Sequence, residues 1–384
     1  MAPARALRSN GGKRGREKIR VGTAGTTVPP VESLLRNVRR TEEKGYHSLW
    51  WPDHLMGWHP EQAWTPDAAR LMPNPHTFLD LVAAMAAAAV HTERILLGSA
   101  VTEPVRRHPA MLAQEFLTLD HLSRGRVVMG IGAGEGENLE PYGLDTSHPV
   151  ARLEEALAII RLLWEHDEPV SWEGDFWRLR DAVCGMGPYQ VGEYPPIWVA
   201  AHGPRMLRMV GRRCDGWLPT YRGLSSWQQG LSEIGRAARR AGRDPADITP
   251  ALWALLVLDE DPAEVERLLE APLVRGWMLI LPASAFEELG HPHPLGEGTY
   301  GLRDYIPTRL SGPEAQAAFQ AVPPEVCHRY TLSGTPDQVL DELRQFAEAG
   351  LEHVILWNIT YMADLAKLRP SFALQDELLE ALRD

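Results

Sequence analysis

Apolar positions along this chain fall into short strand-like runs that alternate with amphipathic stretches of helical period. The runs are Lys18–Gly22, His47–Trp51, Ile95–Val101, Arg126–Ile131, Ile197–Ala201, Asp215–Pro219, Pro250–Leu258 and His353–Trp357. Helical stretches fall at Val31–Lys44, Thr77–Val90, Pro109–Leu122, Pro149–Trp164, Pro204–Arg213, Ser225–Ala241, Pro336–Ala349 and Pro370–Leu382. The clearest is Pro149–Trp164. Its Val150, Leu153, Leu157, Ile160 and Trp164 step by three and four, while Arg152, Glu154, Glu155 and Arg161 take the other face. Gly45 stands just past the first helix, where a left-handed residue commonly ends one.

Strands that alternate with helices build a parallel sheet. An open doubly wound sheet and a closed barrel both satisfy that pattern. The count of strands and the absence of a switch between two halves favour the α/β class as a single (β/α)8 TIM barrel. The rhythm breaks between about 259 and 330, where Pro, His and Gly cluster around Gly290–Gly301. That stretch reads as an insertion in one barrel domain covering residues 19–384. Met1–Lys18 is basic and has no apolar segment after it, so it reads as a disordered tail and not as a signal peptide.

Composition narrows the function more than the fold. Apolar residues at 44% and charged residues at 23% of 384 are those of a folded chain with a large core. A net charge of −12 excludes the basic footprint of a nucleic-acid binder. The longest apolar run, Leu79–Val90, is too short to span a bilayer. Cys184, Cys214 and Cys327 are widely spaced and make neither a disulfide framework nor a zinc cluster, which points to a cytoplasmic protein. Thirteen tryptophans are many, and several fall in loop-like stretches of the kind that line pockets.

In such a barrel, ligands bind at the C-terminal ends of the strands. After the second strand come Asp53 and His54, a pair able to transfer protons near neutrality and equally compatible with a solvated loop. After the third come Gly98, Ser99, Ala100 and Val101, small enough for close approach of a flat ligand, then Glu103, Arg106 and Arg107. After the fourth, glycines alternate from Gly130 to Gly136 and are followed by Glu135, Glu137 and Glu140, a setting that suits a pyrophosphate poorly. After the fifth, Ala200, Ala201, His202, Gly203 and Pro204 read as a helix start whose free N–H groups can cradle a phosphate. His291 and His293 have no third ligand of suitable spacing, and no metal site is expected.

Five stretches together resemble the bacterial luciferase-like superfamily, in its branch that uses the deazaflavin coenzyme F420. They are "PDH", "LLGSAVTEPVRRHP", "GRVVMGIGAGEGENLEPYG", "PPIWVAAHGPRMLRMVGRRCDGWLP" and "SGTPDQVLDEL". Within that branch the runs "EPYGLDTSHPVARLEEALAIIRLLW" and "WVAAHGPRMLR" are most similar to phthiodiolone dimycocerosate ketoreductases. The F420-dependent glucose-6-phosphate dehydrogenases look more distant. Tyr221-Arg222-Gly223 stands where those dehydrogenases carry a substrate-phosphate lysine.

The resemblance implies a deazaflavin held at the strand ends. It makes His54 and Glu135 the catalytic candidates, and Asp53, Glu103, Arg106 and Asn138 cofactor contacts. It places a cis peptide at Ala100–Val101 beneath the ring system, and the cofactor phosphate at Ala200, Ala201, His202 and Gly203. Arg106 and Arg107 are expected to meet the acidic tail of the coenzyme. The implied reaction is hydride transfer to or from a carbonyl or alcohol carbon, foremost ketone reduction. The alternative is a flavin mononucleotide monooxygenase using molecular oxygen. A homodimer acting on a small apolar substrate, with no nucleic acid and no integral membrane segment, completes the expectation.

Overall fold

Eight parallel strands close on themselves. In chain order they are β1 Arg20–Ala24, β2 Ser48–Trp51, β3 Leu96–Ser99, β4 Val127–Ile131, β5 Ile197–Val199, β6 Gly216–Trp217, β7 Thr249–Leu258 and β8 His353–Asn358. Closure comes from β1 beside β8, with Arg20 opposite His353, and from β6 beside β7, with Gly216 opposite Thr249. These strands belong to a computed structural model that describes residues 19–383, so the basic tail expected at residues 1–18 lies outside the described residues. One major helix follows each of seven strands: α1 Val31–Lys44, α2 Leu81–Val90, α3 Pro109–Ser123, α4 Pro149–Glu165, α5 Pro204–Arg213, α6 Leu224–Arg240 and α8 Leu368–Arg383. Helix α7, Pro336–Glu348, precedes β8 and supplies the remaining member. The (β/α)8 barrel expected from the alternation is the fold.

Local chemistry sets the boundaries. Helix α1 stops at Gly45, which takes the left-handed φ of 79° foreseen for it. Helix α2 begins at Leu81 and not at Thr77, because the Asp80 carboxylate accepts the Ala83 N–H at 2.9 Å and caps it there. Helix α7 starts on a capping box between Thr335 and Gln338.

The lumen is packed with large rings. Trp50 of β2 and Trp198 of β5 lie with centroids 5.2 Å apart, and the His353 ring meets both edge-on. Two glycines make the space. A Cβ on Gly98 would sit 2.2 Å from the Trp50 ring, and one on Gly216 would sit 2.4 Å from Trp198. This filled layer is the base on which the strand-end site rests.

Two regions add to the barrel. Residues 166–196 show no periodic signal, yet they hold a hairpin of Val170–Glu173 against Arg178–Ala182. Its turn is organised from outside: the Glu155 carboxylate of α4 accepts the backbone N–H groups of Asp175, Phe176 and Trp177. Between β7 and α7, residues 259–331 carry helices at Pro262–Leu269, Gly312–Ala321 and Pro324–Tyr330, and a short strand, Leu332–Gly334, then pairs in parallel alongside the end of β7. This segment has its own apolar core of Val265, Leu268, Phe286, Phe319 and Val326. Trp58 from the loop after β2 and Val257 from β7 enter the same core.

His59 fastens that loop to the segment by donating from Nε2 to the Leu273 carbonyl at 2.7 Å. Burial pushes its pKa down to about 4, against a small opposing effect of the Leu273 bond. The ring is therefore neutral in the fold and binds a proton more readily in the unfolded chain, whose value is 6.5. Stability contributed at this site is intact above pH 6.5 and falls as pH drops toward 4. Between pH 7 and pH 5 the wild type should lose about 2 kcal/mol more unfolding free energy than His59→Asn, read from urea titrations. Parallel losses in the two proteins would show that His59 does not carry the effect.

Candidate active site

Strand β2 runs directly into Pro52, Asp53 and His54, so the geometry of the barrel mouth starts here. Asp53 is only 4% exposed. Its carboxylate accepts from Thr102 Oγ1 at 2.7 Å and Arg107 Nε at 3.0 Å, and Arg106 Nη2 lies 3.2 Å away. Burial alone would raise its pKa. The Arg107 hydrogen bond and the charges of Arg106 and Arg107 outweigh burial and hold it below the usual carboxylate range. Arg106 also donates to the Asp53 backbone carbonyl at 2.6 Å, which fixes the main chain just before His54.

His54 is buried, and polar groups hold its ring in place. The Asn138 side-chain oxygen accepts the Leu55 N–H at 2.8 Å, which turns the Asn138 NH2 toward His54 Nδ1, also at 2.8 Å. Nδ1 also lies 3.1 Å from the Met56 carbonyl, which can only accept, so its two contacts call for opposite tautomers of the neutral ring. Nε2 faces Glu135 Oε2 at 3.8 Å. Burial, then Arg106, lowers the His54 pKa against the opposing pull of Glu135 and Asp53, so the ring is neutral at pH 7. Glu137 lies on the other side, with Oε1 3.5 Å from Nδ1.

Tryptophans close the space around this pair. Trp58 meets the His54 ring edge-on, with centroids 4.1 Å apart, and donates its indole N–H to Glu135 Oε2 at 3.1 Å. Trp277 and Trp357 stack behind it, and Trp253 joins Trp357 at 5.3 Å. Tyr305 donates its hydroxyl to the Trp58 carbonyl at 2.8 Å and anchors the loop. The floor is the Ala100–Val101 peptide, which is cis and packs with Trp253 against the filled lumen.

A polar end lies at the start of α5. Ala200 donates to the Ile131 carbonyl, and Ala201 is buried. Gly203 caps the helix with no side-chain acceptor on its free N–H groups and open space beside it. His202 Nε2 accepts from Thr220, and burial followed by the Arg222 charge keeps its pKa well below the ordinary value. Arg222 Nε itself is buried without a hydrogen-bond partner.

The predicted site residues therefore divide. Asp53, His54, Glu135 and Asn138 meet in one cluster, with the Ala100–Val101 floor packed beneath the barrel mouth. Arg106 and Arg107 are not free to meet an acidic tail. Arg106 binds Glu103 at 2.7 Å, and Arg107 binds Asp53, Asp80 and Glu115. Buried carboxylates demand these cations more strongly than a solvated ligand would. Glu103 turns both oxygens onto its own loop, accepting from Arg106 and from the backbone of Val105 and Arg106. Asn138 is buried and orients His54. Sequence reasoning had no signal for Trp253, Trp277, Trp357 or Tyr305, because their convergence depends on how residues 259–331 pack.

Among the described residues, His54, Glu135 and Glu137 are the one group whose ligand-type atoms all lie within 4.8 Å of one another. The two carboxyl groups face opposite ring nitrogens, so the shortest contacts of the cluster do not converge on one point.

A flat apolar floor, a neutral histidine beside a carboxylate, and an open helix N-terminus at the strand ends define an oxidoreductase-type ligand site on a (β/α)8 barrel. The chain belongs to the luciferase-like monooxygenase family, whose pattern matches residues 16–353. It is 36% identical over 360 residues to a phthiodiolone/phenolphthiodiolone dimycocerosates ketoreductase of Mycobacterium sp. (strain JLS), covering 90% of this chain and 93% of that protein. It is 31% identical over 358 residues to the F420-dependent glucose-6-phosphate dehydrogenase of Beutenbergia cavernae, covering 91% of this chain and 93% of that protein. In fold it is similar to an F420-dependent secondary alcohol dehydrogenase solved with an F420-acetone adduct. There the TM-score is 0.73 at 24% identity, over 96% of this chain and all of the other.

Removing a cation from the Asp53 cluster tests its electrostatics. Arg107→Met should cost about 3 kcal/mol of stability, the low end for breaking a buried pair, because Arg106 remains. Chemical denaturation of the cofactor-free protein measures it. A loss below about 1 kcal/mol, the size of a surface ion pair, would mean that Asp53 is not held by Arg107.

Proposed function

We propose that this protein is a coenzyme F420-dependent oxidoreductase that reduces a ketone. The observation that carries the reading is the pairing of the buried His54 ring with the half-buried Glu135 carboxylate, 3.8 Å apart beneath Trp58 at the barrel mouth. The names of the relatives at 36% and 31% identity point the same way, the first to a ketone substrate and the second to the cofactor.

The residues fit a deazaflavin by their own chemistry. The Ala100–Val101 floor suits a flat ring, and the indole N–H of Trp253 is buried without a partner beside it. The open N-terminus of α5, neutral His202 and the unpartnered Arg222 Nε suit a phosphoryl group. When bound and reduced, the cofactor supplies a hydride. The protein has to orient the carbonyl, exclude water and deliver a proton to the oxygen as it becomes an alkoxide. His54 presents Nε2 on the side of Glu135, and these two groups are the candidate donors to that oxygen. Asp53, Arg106 and Asn138 hold His54 in place. The walls of Trp58, Trp253, Trp277 and Trp357 favour an apolar substrate.

Titration of the purified protein with F420 and with flavin mononucleotide, followed by a carbonyl panel monitored through deazaflavin absorbance, tests the reading. Tight binding of the flavin alone would overturn it in favour of an oxygen-using monooxygenase. His54→Ala and Glu135→Gln should each keep cofactor affinity within about tenfold and lower turnover at least ~100-fold, as loss of general acid catalysis does. Wild-type turnover in both variants would remove both residues from the proton-delivery step.

A further inference from the structure

Glu137 is the one carboxylic acid at this site with no exposed surface at all. It sits on the short helical turn Gly136–Leu139, two residues beyond Glu135. Its Oε1 is 3.3 Å from the Asn138 NH2 and 3.5 Å from His54 Nδ1, and its Oε2 has no hydrogen-bond partner. Among the described residues no lysine or arginine forms an ion pair with it. Arg106, the cation whose field reaches it, is committed to Glu103 and Asp53.

An ionised carboxylate in that position would be buried with no cation paired to it and one oxygen unbonded, which is costly. Two carboxyl groups packed within 4.8 Å also resist carrying two charges. We propose that Glu135 and Glu137 hold one proton between them beside the His54 ring, and that of the two candidate donors it is Glu135 that passes this proton to the substrate oxygen, with His54 orienting that oxygen. The inference rests on the hydride-transfer reading above and extends it to a residue acting through Glu135.

The groups facing Glu137 support this from each side. Its own loop brings Glu135, the end of β2 brings His54, the end of β3 brings Arg106, itself paired with Asp53 and Glu103, and the segment after β7 brings Tyr305. Burial first, and then the Glu135 charge, push the Glu137 pKa well above its ordinary value, while Arg106 opposes them. The Tyr305 phenol is pushed up by its own burial and then by Glu137, so it stays protonated and adds no charge.

The step balances without further reagents. A hydride from the reduced cofactor forms the new C–H bond, and the carbonyl π electrons move onto oxygen. One O–H bond breaks at Glu135 as the proton leaves, and one forms on the product alcohol. The carboxyl pair is left with two negative charges. Glu135, the more exposed member, then takes a proton from water and restores the single-proton state.

Infrared difference spectra of the cofactor-free protein test the stored proton directly. At pH 7 the wild type should show the C=O stretch of a protonated carboxyl that disappears in Glu137→Gln. Glu137→Asp keeps the carboxyl, should shift that band without abolishing it, and assigns the band if the Gln variant does not fold. In turnover, Glu137→Gln should move the alkaline limb of the rate profile down by about one pH unit or more, the scale set by a neighbouring like charge. Turnover at pH 7 should fall about tenfold or more, with KM little changed. No such band in the wild type at pH 7, or an unaltered rate profile in Glu137→Gln, would overturn the proposal. The infrared reading needs neither cofactor nor substrate. A wild type with the band but no carbonyl turnover would therefore count against the proposed reaction and not against the shared proton.

Discussion

The mouth of this barrel depends on one buried anion. Asp53 lies at the end of β2, with almost no contact with water, and is stable there only because Arg106, Arg107 and Thr102 converge on it. That convergence ties the end of β2 to the end of β3 and sets the main chain from which His54 projects. It also engages both arginines. The cations nearest the site therefore act inside the protein, while the start of α5 has no side-chain cap and Arg222 Nε has no hydrogen-bond partner. A single desolvated carboxylate thereby fixes where the His54 ring stands and engages the cations nearest to it.

Much of this was legible in the residue order. The eight strands, their helices and the closed barrel follow from hydrophobic period, which reflects burial on one face and survives without knowledge of tertiary contacts. Asp53, His54 and Glu135 were legible because residues just past a barrel strand have little to do but meet ligand or one another. What was not legible depended on distant partners. The hairpin at Val170–Ala182 is short, half exposed and turned by Glu155, so its own sequence carries no periodic signal. Arg106, Glu103 and Asn138 were visible as polar residues near the site. Whether each would face ligand or protein was decided by competition among charges across three loops, which spacing does not record.

Glu137 shows the same limit from the other side. In the sequence it is one of three acids, with Glu135 and Glu140, whose charge suits a pyrophosphate poorly, and nothing there separates it from the other two. The turn Gly136–Leu139 rotates it inward, while Glu140, three residues on, faces out to pair with Arg309. Neighbouring residues of one type thus separate into different chemistries through the rotation of a single helical turn.

The cover over the site has a core distinct from that of the barrel. Trp58 reaches out of the β2 loop into the cluster formed by Val265, Leu268, Phe286, Phe319 and Val326, while the barrel holds its own packing beneath Trp50 and Trp198. Trp253 packs against both, and Trp58 carries the core of the cover onto the His54 ring and the Glu135 carboxylate. Substitutions that share partners in this way do not combine additively. A change in the cover therefore reaches the ring and the carboxylate through one indole, and the two layers are constrained to vary together.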